Sequence, residues 1–164
     1  PYIEEHKAQK KAIYERYKEK LAGLPVSMNP VELDGAEIEP NYWLSCLLID
    51  KDAMCPQMRG EQEALYKTEP GKSCPTEILE ALVAFNAEGR PIWKPMHMQP
   101  VYRMSPFVTR IGNGRGKSNA YIAGECGFDV GMDIFERGLC LPSDNKMTMK
   151  QVDAVCEIIK RCFY

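Results

Sequence analysis

The sequence predicts an α+β domain, in which a small antiparallel or mixed sheet of about three strands carries helices on one face and a long helix leads the chain. Two observations support this class. Helical and strand-like apolar patterns alternate in the order helix, strand, helix, strand, short helix, strand, helix, and each strand-like segment is short. Short strands with helices between and after them typically form one sheet covered on one face.

Size and charge limit the possible partners. The chain has 164 residues, of which 45% are hydrophobic and 27% charged, so it is long enough for one domain with its own core. Its net charge of −2 does not fit a nucleic-acid-binding surface, which needs a basic stripe. The longest apolar run, Tyr42 to Ile49, is too short to cross a bilayer. We therefore expect neither a nucleic-acid nor a membrane partner.

Cysteine usage predicts a cytoplasmic protein. There are seven cysteines, an odd number, no C-x-x-C motif is present, and several cysteines lie inside apolar patterns. This pattern is typical of reduced thiols that act as small core residues. No metal site is predicted, because neither His6 nor His97 has zinc-ligand spacing to a cysteine. No secretory leader is recognised at the start of the sequence.

The first element is a long helix over residues 1–22. It has no N-cap of its own, which suggests a chain cut from a longer one, and Gly23 and Pro25 end it. Prolines and a glycine within residues 26–41 predict a loop there. The apolar residues that share one stripe of the helix are Ile3, Ile13, Tyr14, Tyr17 and Leu21.

A buried strand and a second helix are predicted next. Residues 41–50, NYWLSCLLID, are apolar enough for a strand buried on both faces. Residues 51–72 are polar and irregular and predict a surface insertion, with a helical turn near Glu61–Tyr66. The second helix begins with Pro75 at its first position, and Gly89 is expected to end it.

The chain from Arg90 onward contains two short strands and two helices. Prolines limit the fourth predicted element to a strand at Arg90–Trp93, which leads into a shaped loop. Residues 103–131 are glycine-rich and predict a second, mobile insertion. A short helix over residues 132–137, closed by Gly138, precedes a buried strand over residues 139–142. The final helix begins at a capping box whose sequence signature is T-x-x-Q, residues 148–151.

The Gly112–Ser118 segment is a weak phosphate-binding candidate. Its end fits the P-loop pattern G-x-x-x-x-G-K-[ST], but Ile111 occupies the position of the first glycine. A nucleotide triphosphatase is therefore disfavoured. Two interpretations remain: a flexible surface loop, or a loop whose backbone amides, together with Arg115 or Lys117, contact a ligand phosphate.

His97 is the more informative candidate. It lies in a proline-braced loop beside Trp93 and Lys94, and such loops on a rigid scaffold often carry function. A lone histidine is more often structural, so both interpretations stay open on chemistry alone. The sequence contains no G-x-S-x-G, H-E-x-x-H or strand-linked G-x-G-x-x-G motif.

Four segments together carry a family resemblance. RPIWKPMHMQPVY, residues 90–102, resembles the RP-x-[WF]-KP-[ML]-H-x-QP segment of the DegT/DnrJ/EryC1/StrS aminotransferases, and FERGLCLPS, residues 135–143, resembles their C-terminal segment. NYWLS, residues 41–45, resembles their NYWLF strand, and residues 3–25 resemble the helix that joins their two domains. The likeness is greatest to the branch that aminates the 4-keto sugar on the way to UDP-N-acetylbacillosamine.

This resemblance implies a domain assignment. Members of the family are fold-type I pyridoxal-phosphate enzymes that act on nucleotide-linked keto-sugars. Residues 1–164 would be the C-terminal small domain, with residues 1–22 as the inter-domain helix and residues 51–72 and 103–131 as insertions. The large domain, which holds the cofactor and its Schiff-base lysine, would lie outside this chain. Neither Lys94 nor Lys117 lies in the family's lysine motif, so no catalytic residue is expected here and the chain alone should be inactive.

The resemblance also implies a substrate-side role. The residues carried over as substrate-binding are Arg90, Trp93, Lys94 and His97. The expected partners are the large domain, a second subunit in a homodimer, a nucleotide sugar and an amino-acid donor, in a pathway that builds cell-surface polysaccharide or another glycan. The alternative function is a stand-alone nucleotide- or phosphate-binding module that uses the Gly112–Ser118 loop.

Overall fold

The fold is described by a computed structural model that covers residues 2–32, 34–59, 64–102, 106–108, 115–117 and 129–164, with the backbone alone at 106–108 and 115–117. The chain divides into two compact units. The first contains Pro1–Pro91 and Arg137–Tyr164, and the second contains Ile92–Glu136. The predicted α+β class is confirmed, with a small antiparallel sheet and the long helix first.

Helices and strands alternate much as the sequence predicts. The α-helices are α1 (Ile3–Lys20), α2 (Pro75–Ala84), α3 (Val130–Arg137) and α4 (Met149–Arg161). The strands are β1 (Val26–Met28), β2 (Ser45–Ile49), β3 (Gln57–Arg59), β4 (Ala64–Tyr66), β5 (Arg90–Pro91), β6 (Pro106–Val108), β7 (Arg115–Lys117) and β8 (Gly138–Leu141). Short 3₁₀ turns occur at Lys51–Ala53, Met96–Met98 and Pro100–Tyr102.

The main sheet lies in the first unit and has four antiparallel strands in the order β1-β2-β8-β5. Its extra strand is β1, which falls where the sequence predicts a loop. The prolines and the glycine behind that prediction begin at Pro30, after the strand has ended, and a three-residue strand is too short to show alternation. The local sequence of β1 does not specify a strand. Its extended conformation depends on pairing with β2, from Val26 opposite Ile49 to Met28 opposite Leu47.

The segment after β2 contains a hairpin. The helical turn predicted near Glu61–Tyr66 is wrong at residues 64–66, and residues 61–63 lie outside the described residues. Ala64–Tyr66 form β4, which pairs with β3 so that Gln57 lies opposite Tyr66. Each residue of β4 pairs with a residue five to nine positions earlier in the chain, so the local polar composition did not reveal the pairing. In the second unit β6 and β7 form another antiparallel hairpin, inside the segment predicted to be a mobile insertion.

The end of α2 differs from the prediction. Pro75 does occupy the first turn, but the helix ends at Ala84, and Asn86 rather than Gly89 adopts the left-handed backbone, with φ of 56°. Asparagine tolerates this conformation better than most residues do. Gly89 is needed for space instead: a Cβ there would lie 2.7 Å from Leu79 Cδ2 and 3.1 Å from the Cys140 carbonyl oxygen.

The remaining elements agree with the prediction except at their ends. The strand expected at Arg90–Trp93 keeps only its first two residues, and its last residue, Pro91, has no N–H to donate to the ladder. Helix α3 begins at Val130, two residues earlier than predicted, and Gly138 is already the first residue of β8. The capping box of α4 is present, with both of its reciprocal hydrogen bonds between Thr148 and Gln151.

One hydrophobic core in the first unit joins α1, α2 and α4 to the main sheet. The Tyr17 side chain is fully buried, and its hydroxyl donates to the carbonyl oxygen of Pro142 at 2.7 Å. The core residues are Ile13, Tyr17, Leu21, Leu47, Ile49, Ala53, Ile78, Leu82, Leu139, Leu141, Val152, Val155, Cys156, Ile159 and Phe163.

All six cysteines in the described part of the chain are free thiols, and four of them are buried. This agrees with the interpretation of reduced cysteines as small core residues. Cys126 lies outside the described residues. Within the described ranges, every helix is too short or too polar to cross a bilayer.

Candidate substrate-binding site

A partly buried hydrogen bond joins His97 to Asp129 in the second unit. His97 Nε2 lies 2.6 Å from Asp129 Oδ2, and the side chains are only 12% and 9% exposed. A carboxylate can only accept hydrogen bonds, so the imidazole donates through Nε2. This contact fixes the orientation of the ring as well as its position.

The local sequence explains how His97 is held. Pro95 precedes the 3₁₀ turn Met96–Met98, and the turn closes with a hydrogen bond from the Met98 N–H to the Pro95 carbonyl oxygen at 2.9 Å. The side-chain amide of Gln99 donates to the Lys94 carbonyl oxygen at 3.0 Å and braces the same turn. The proline-rich segment is therefore a defined turn that presents one histidine.

Asp129 is placed by the start of α3. Its Oδ1 accepts from the Met132 N–H at 2.9 Å, and its carbonyl oxygen accepts from the Asp133 N–H at 3.0 Å, which is the pattern of an N-cap. Gly131 lies against Pro95, since a Cβ there would come within 3.3 Å of Pro95 Cγ. The cap thus brings one carboxylate oxygen to α3 and the other to His97.

Sequence reasoning missed Asp129. A signal was present, because an aspartate just before an amphipathic helical segment is typical of an N-cap. The helix predicted from the sequence begins at Met132, two residues after the observed start at Val130, and this offset separates Asp129 from its helix. The contact with His97, 32 residues away, has no local signal at all.

The other predicted substrate-binding residues differ in their surroundings. The Trp93 side chain is 64% exposed and Lys94 is partly buried; both belong to the same unit as His97. Arg90 belongs to the other unit, on β5, where it is exposed and forms an ion pair with Glu88. Of the four residues, Trp93, Lys94 and His97 share one short segment of a single unit.

The candidate phosphate loop is described only in part. Arg115 and Lys117 lie on β7, but their side chains lie outside the described residues, as do Gly112–Gly114 and Ser118 as a whole. The β7 backbone differs from a P-loop, in which the lysine begins a helix. Residues 115–117 instead pair with β6 in a hairpin.

Comparisons with known proteins support the resemblance seen in the sequence. The chain is 27% identical over 169 aligned residues to EpsN of Bacillus subtilis, whose assignment as a pyridoxal phosphate-dependent aminotransferase is itself provisional. This match covers 99% of the chain and 32% of EpsN. No family model matches the chain.

Spr1654 and DesI are among the solved structures that share its fold. Spr1654 of Streptococcus pneumoniae, provisionally a sugar aminotransferase and solved in its PMP form, superposes with a TM-score of 0.64 at 16% identity. DesI, solved in the presence of its TDP-sugar product, superposes with a TM-score of 0.65 at 15% identity. Each match covers 99% of this chain and 32% of the other. The chain therefore spans about a third of the length of the relatives it matches.

Proposed function

The chain resembles the sugar aminotransferases in sequence and in fold over about a third of their length, and from this premise we propose that it is the substrate-side part of such an enzyme. The enzyme transfers an amino group to a nucleotide-linked keto-sugar. The observation that carries the proposal is the partly buried hydrogen bond that Asp129 forms with His97, the histidine of the RPIWKPMH segment behind the sequence resemblance.

The cofactor belongs to a part of the protein outside this chain. Pyridoxal phosphate, when bound, supplies the chemistry that carries the amino group. Lys94 and Lys117 do not lie in the family's lysine motif, so this chain contributes no group that holds the cofactor covalently. Residues 1–22 act as the inter-domain helix, residues 51–72 and 103–131 are insertions, and the complete enzyme is a cytoplasmic homodimer that uses an amino-acid donor.

His97 hydrogen-bonds the sugar portion of the substrate. The Asp129 carboxylate holds the imidazole at 2.6 Å and prevents the ring from rotating, so a sugar hydroxyl meets a pre-oriented partner. Because the Asp129 carboxylate also caps α3, any shift of that helix would move the histidine. The pair therefore acts as a rigid positioning unit for the substrate.

Trp93 and one cationic side chain bind the rest of the nucleotide sugar. The exposed indole of Trp93 offers a flat apolar face on which a sugar ring packs. Either Lys94 or Arg90 supplies positive charge for the diphosphate, and charge-assisted hydrogen bonds of this kind are stronger than neutral ones. The exposure of Arg90, which shares an ion pair with Glu88 at the surface, leaves it accessible to a charged ligand.

The alternative is a stand-alone phosphate-binding module that uses Gly112–Ser118. The strand conformation of Arg115–Lys117 favours the aminotransferase over a P-loop nucleotide binder. The coding sequence upstream of Pro1 discriminates between the two. A further domain with a cofactor-binding lysine motif supports the aminotransferase, whereas a start codon at that point supports the module.

The test of the proposal compares two half-reactions of the complete enzyme. In the His97→Ala variant we expect the half-reaction with the amino donor to stay nearly intact and the half-reaction with the keto-sugar to slow. A lost hydrogen bond is worth about 0.5–1.5 kcal/mol when neutral and about 1.5–3 kcal/mol when charged. This corresponds to a loss of roughly 2- to 150-fold in kcat/KM.

The matched control is His6→Ala, because His6 is the only other histidine and lies exposed on α1. Stopped-flow measurement of each half-reaction should show no change in this control. Equal damage to both half-reactions in His97→Ala would contradict a substrate-side role, and no damage in either would make His97 a purely structural residue.

A further inference from the structure

Two buried thiols and a carboxylate converge beside the N-terminus of α2. The Sγ atoms of Cys55 and Cys74 and a carboxylate oxygen of Glu77 all lie within 4.8 Å of one another. Cys55 is 2% exposed and Cys74 is fully buried, while Glu77 is partly exposed. Two sulfur atoms and one oxygen at this spacing are ligands that a thiophilic divalent ion such as Zn²⁺ binds.

Backbone hydrogen bonds fix the two segments that carry these ligands. The Cys55 N–H donates to the Ser73 carbonyl oxygen at 2.9 Å, and the Ser73 N–H donates to the Ala53 carbonyl oxygen at 3.0 Å. Cys74 is the N-cap of α2, and Glu77 lies in the first turn of the same helix. Residues three apart share a helix face, so Glu77 and Cys74 are neighbours on the side that Cys55 meets.

A fully buried serine orients the carboxylate. Ser73 Oγ donates to Glu77 Oε2 at 2.8 Å, and the Ser73 residue has no exposed surface. Hydrogen bonds of this kind hold the ligands of metal sites in place and are a usual part of such sites. The cluster therefore has both its ligands and a supporting group that fixes one of them.

We propose that Cys55, Cys74 and Glu77 bind a divalent thiophilic metal ion, Zn²⁺, that ties the segment before β3 to the start of α2. The three protein ligands leave a fourth tetrahedral position for water or another ligand. On binding, each thiol loses its proton to solvent, two metal–sulfur bonds and one metal–oxygen bond form, and no oxidation occurs. The site needs no histidine, because two cysteine thiolates and one carboxylate supply its three protein ligands.

The structural role of the ion follows from the hairpin that the cluster closes. Strands β3 and β4 have three residues each, and a two-stranded hairpin of this size is marginal by itself. Cys55 directly precedes this hairpin, and Cys74 follows it. An ion that bridges these two cysteines fastens both ends of the hairpin segment to α2.

The test uses Co²⁺ as a spectroscopic probe of the reduced chain after treatment with a chelator. We expect one equivalent to bind, with a thiolate-to-metal charge-transfer band and tetrahedral visible bands that Zn²⁺ abolishes. Two protons should be released for each ion. Cys55→Ser and Cys74→Ser should each weaken binding by about a hundredfold or more, and Glu77→Gln by at least about tenfold, since even supporting residues cost 10- to 100-fold.

Two controls test the specificity of this result. Glu80→Gln changes the next carboxylate along α2, and Cys46→Ser removes a thiol on the main sheet; both should bind Co²⁺ as the unaltered chain does. If the cysteine variants fail to fold, Glu77→Gln and the proton count still decide. The absence of a charge-transfer band in the unaltered chain, equal binding in Glu77→Gln, or a Cys55–Cys74 disulfide in its place would overturn the proposal.

Discussion

Arg16 on α1 donates one hydrogen bond to each carboxylate oxygen of Asp153 on α4. The Nε–Oδ1 distance is 2.7 Å and the Nη2–Oδ2 distance is 2.9 Å, so the first and last helices are joined by a bidentate ion pair. Each helix also packs into the same core, through Tyr17 on α1 and Cys156 on α4. The ion pair sets the relative register of two helices that are 137 residues apart at this contact.

This ion pair predicts a pH-dependent stability. The hydrogen bond from Arg16 lowers the pKa of Asp153, so the pair stabilises the fold above the unfolded-state pKa of aspartate, about 3.9. The contribution is lost as the pH falls through the lower, folded-state pKa. Asp153→Asn should therefore lower the urea midpoint at pH 7, and the difference from the unaltered chain should shrink below about pH 4.

Arg16→Lys is the matched variant, because lysine keeps the positive charge but cannot donate the two parallel hydrogen bonds to the Asp153 carboxylate. It should retain part of the pH dependence and lose part of the stability at pH 7. A constant difference between Asp153→Asn and the unaltered chain from pH 7 to pH 3 would show that the ion pair is not the source.

The distance between Cys46 and Cys140 predicts that mild oxidation joins them in a disulfide. Their Sγ atoms lie 3.7 Å apart on neighbouring strands. The Cys46 N–H donates to Asn29 Oδ1 at 2.8 Å, and its carbonyl oxygen accepts from the Asn29 N–H at 2.9 Å. Both main-chain groups thus face away from β8, and the two cysteines form a non-hydrogen-bonded pair, in which opposing side chains come closest.

Treatment with a small-molecule disulfide such as oxidised glutathione should convert this pair into a protein disulfide. Two thiols are oxidised and two molecules of glutathione are released. The hydrogen bond from Cys46 lowers the pKa of Cys140. Peptide mapping should find the 46–140 cross-link, and Cys46→Ser should leave only a mixed disulfide. Preferential cross-linking of Cys156 or Cys162 would contradict the expectation.

The capping box at the start of α4 should contribute measurably to the free energy of unfolding. Its hydroxyl accepts from the Gln151 N–H at 3.3 Å, and Gln151 Oε1 accepts from the Thr148 N–H at 2.8 Å. Thr148→Ala should lower the free energy of unfolding by about 1 kcal/mol, whereas Thr148→Ser, which keeps the hydroxyl, should cost much less. Urea unfolding measures both, and an unchanged midpoint in Thr148→Ala would mean that α4 does not depend on this cap.

The chain by itself should show no transaminase activity and no specific covalent adduct with pyridoxal phosphate. The reason is the lack of the family's lysine motif in the sequence. Mixing the chain with pyridoxal phosphate, trapping with borohydride and mapping the modified lysines should show only diffuse, substoichiometric labelling. A stoichiometric adduct at one lysine, such as Lys94, would refute the assignment of the cofactor site to another part of the protein.

Local sequence determined the elements whose signals lie within one or two helical turns. The apolar stripe predicted for the first helix is buried from Ile13 to Leu21, although Ile3, predicted to belong to it, is 69% exposed. Pro75 at the start of α2 and the Thr148–Gln151 box of α4 appear as predicted. These features depend on contacts three or four residues apart, which a pattern in the chain records directly. The motif segments that carry the family resemblance are local in the same sense, and the comparisons agree with them.

Tertiary structure alone decided the contacts that join distant segments. The strand β1 exists because β2 pairs with it, the carboxylate that holds His97 comes from Asp129, and Cys55 reaches Cys74 only through the backbone bonds of Ser73. Each contact depends on how the intervening chain closes, and neither residue carries a signal that identifies the other. For this reason the sequence predicted His97 as a functional candidate, but only the fold supplied its partner.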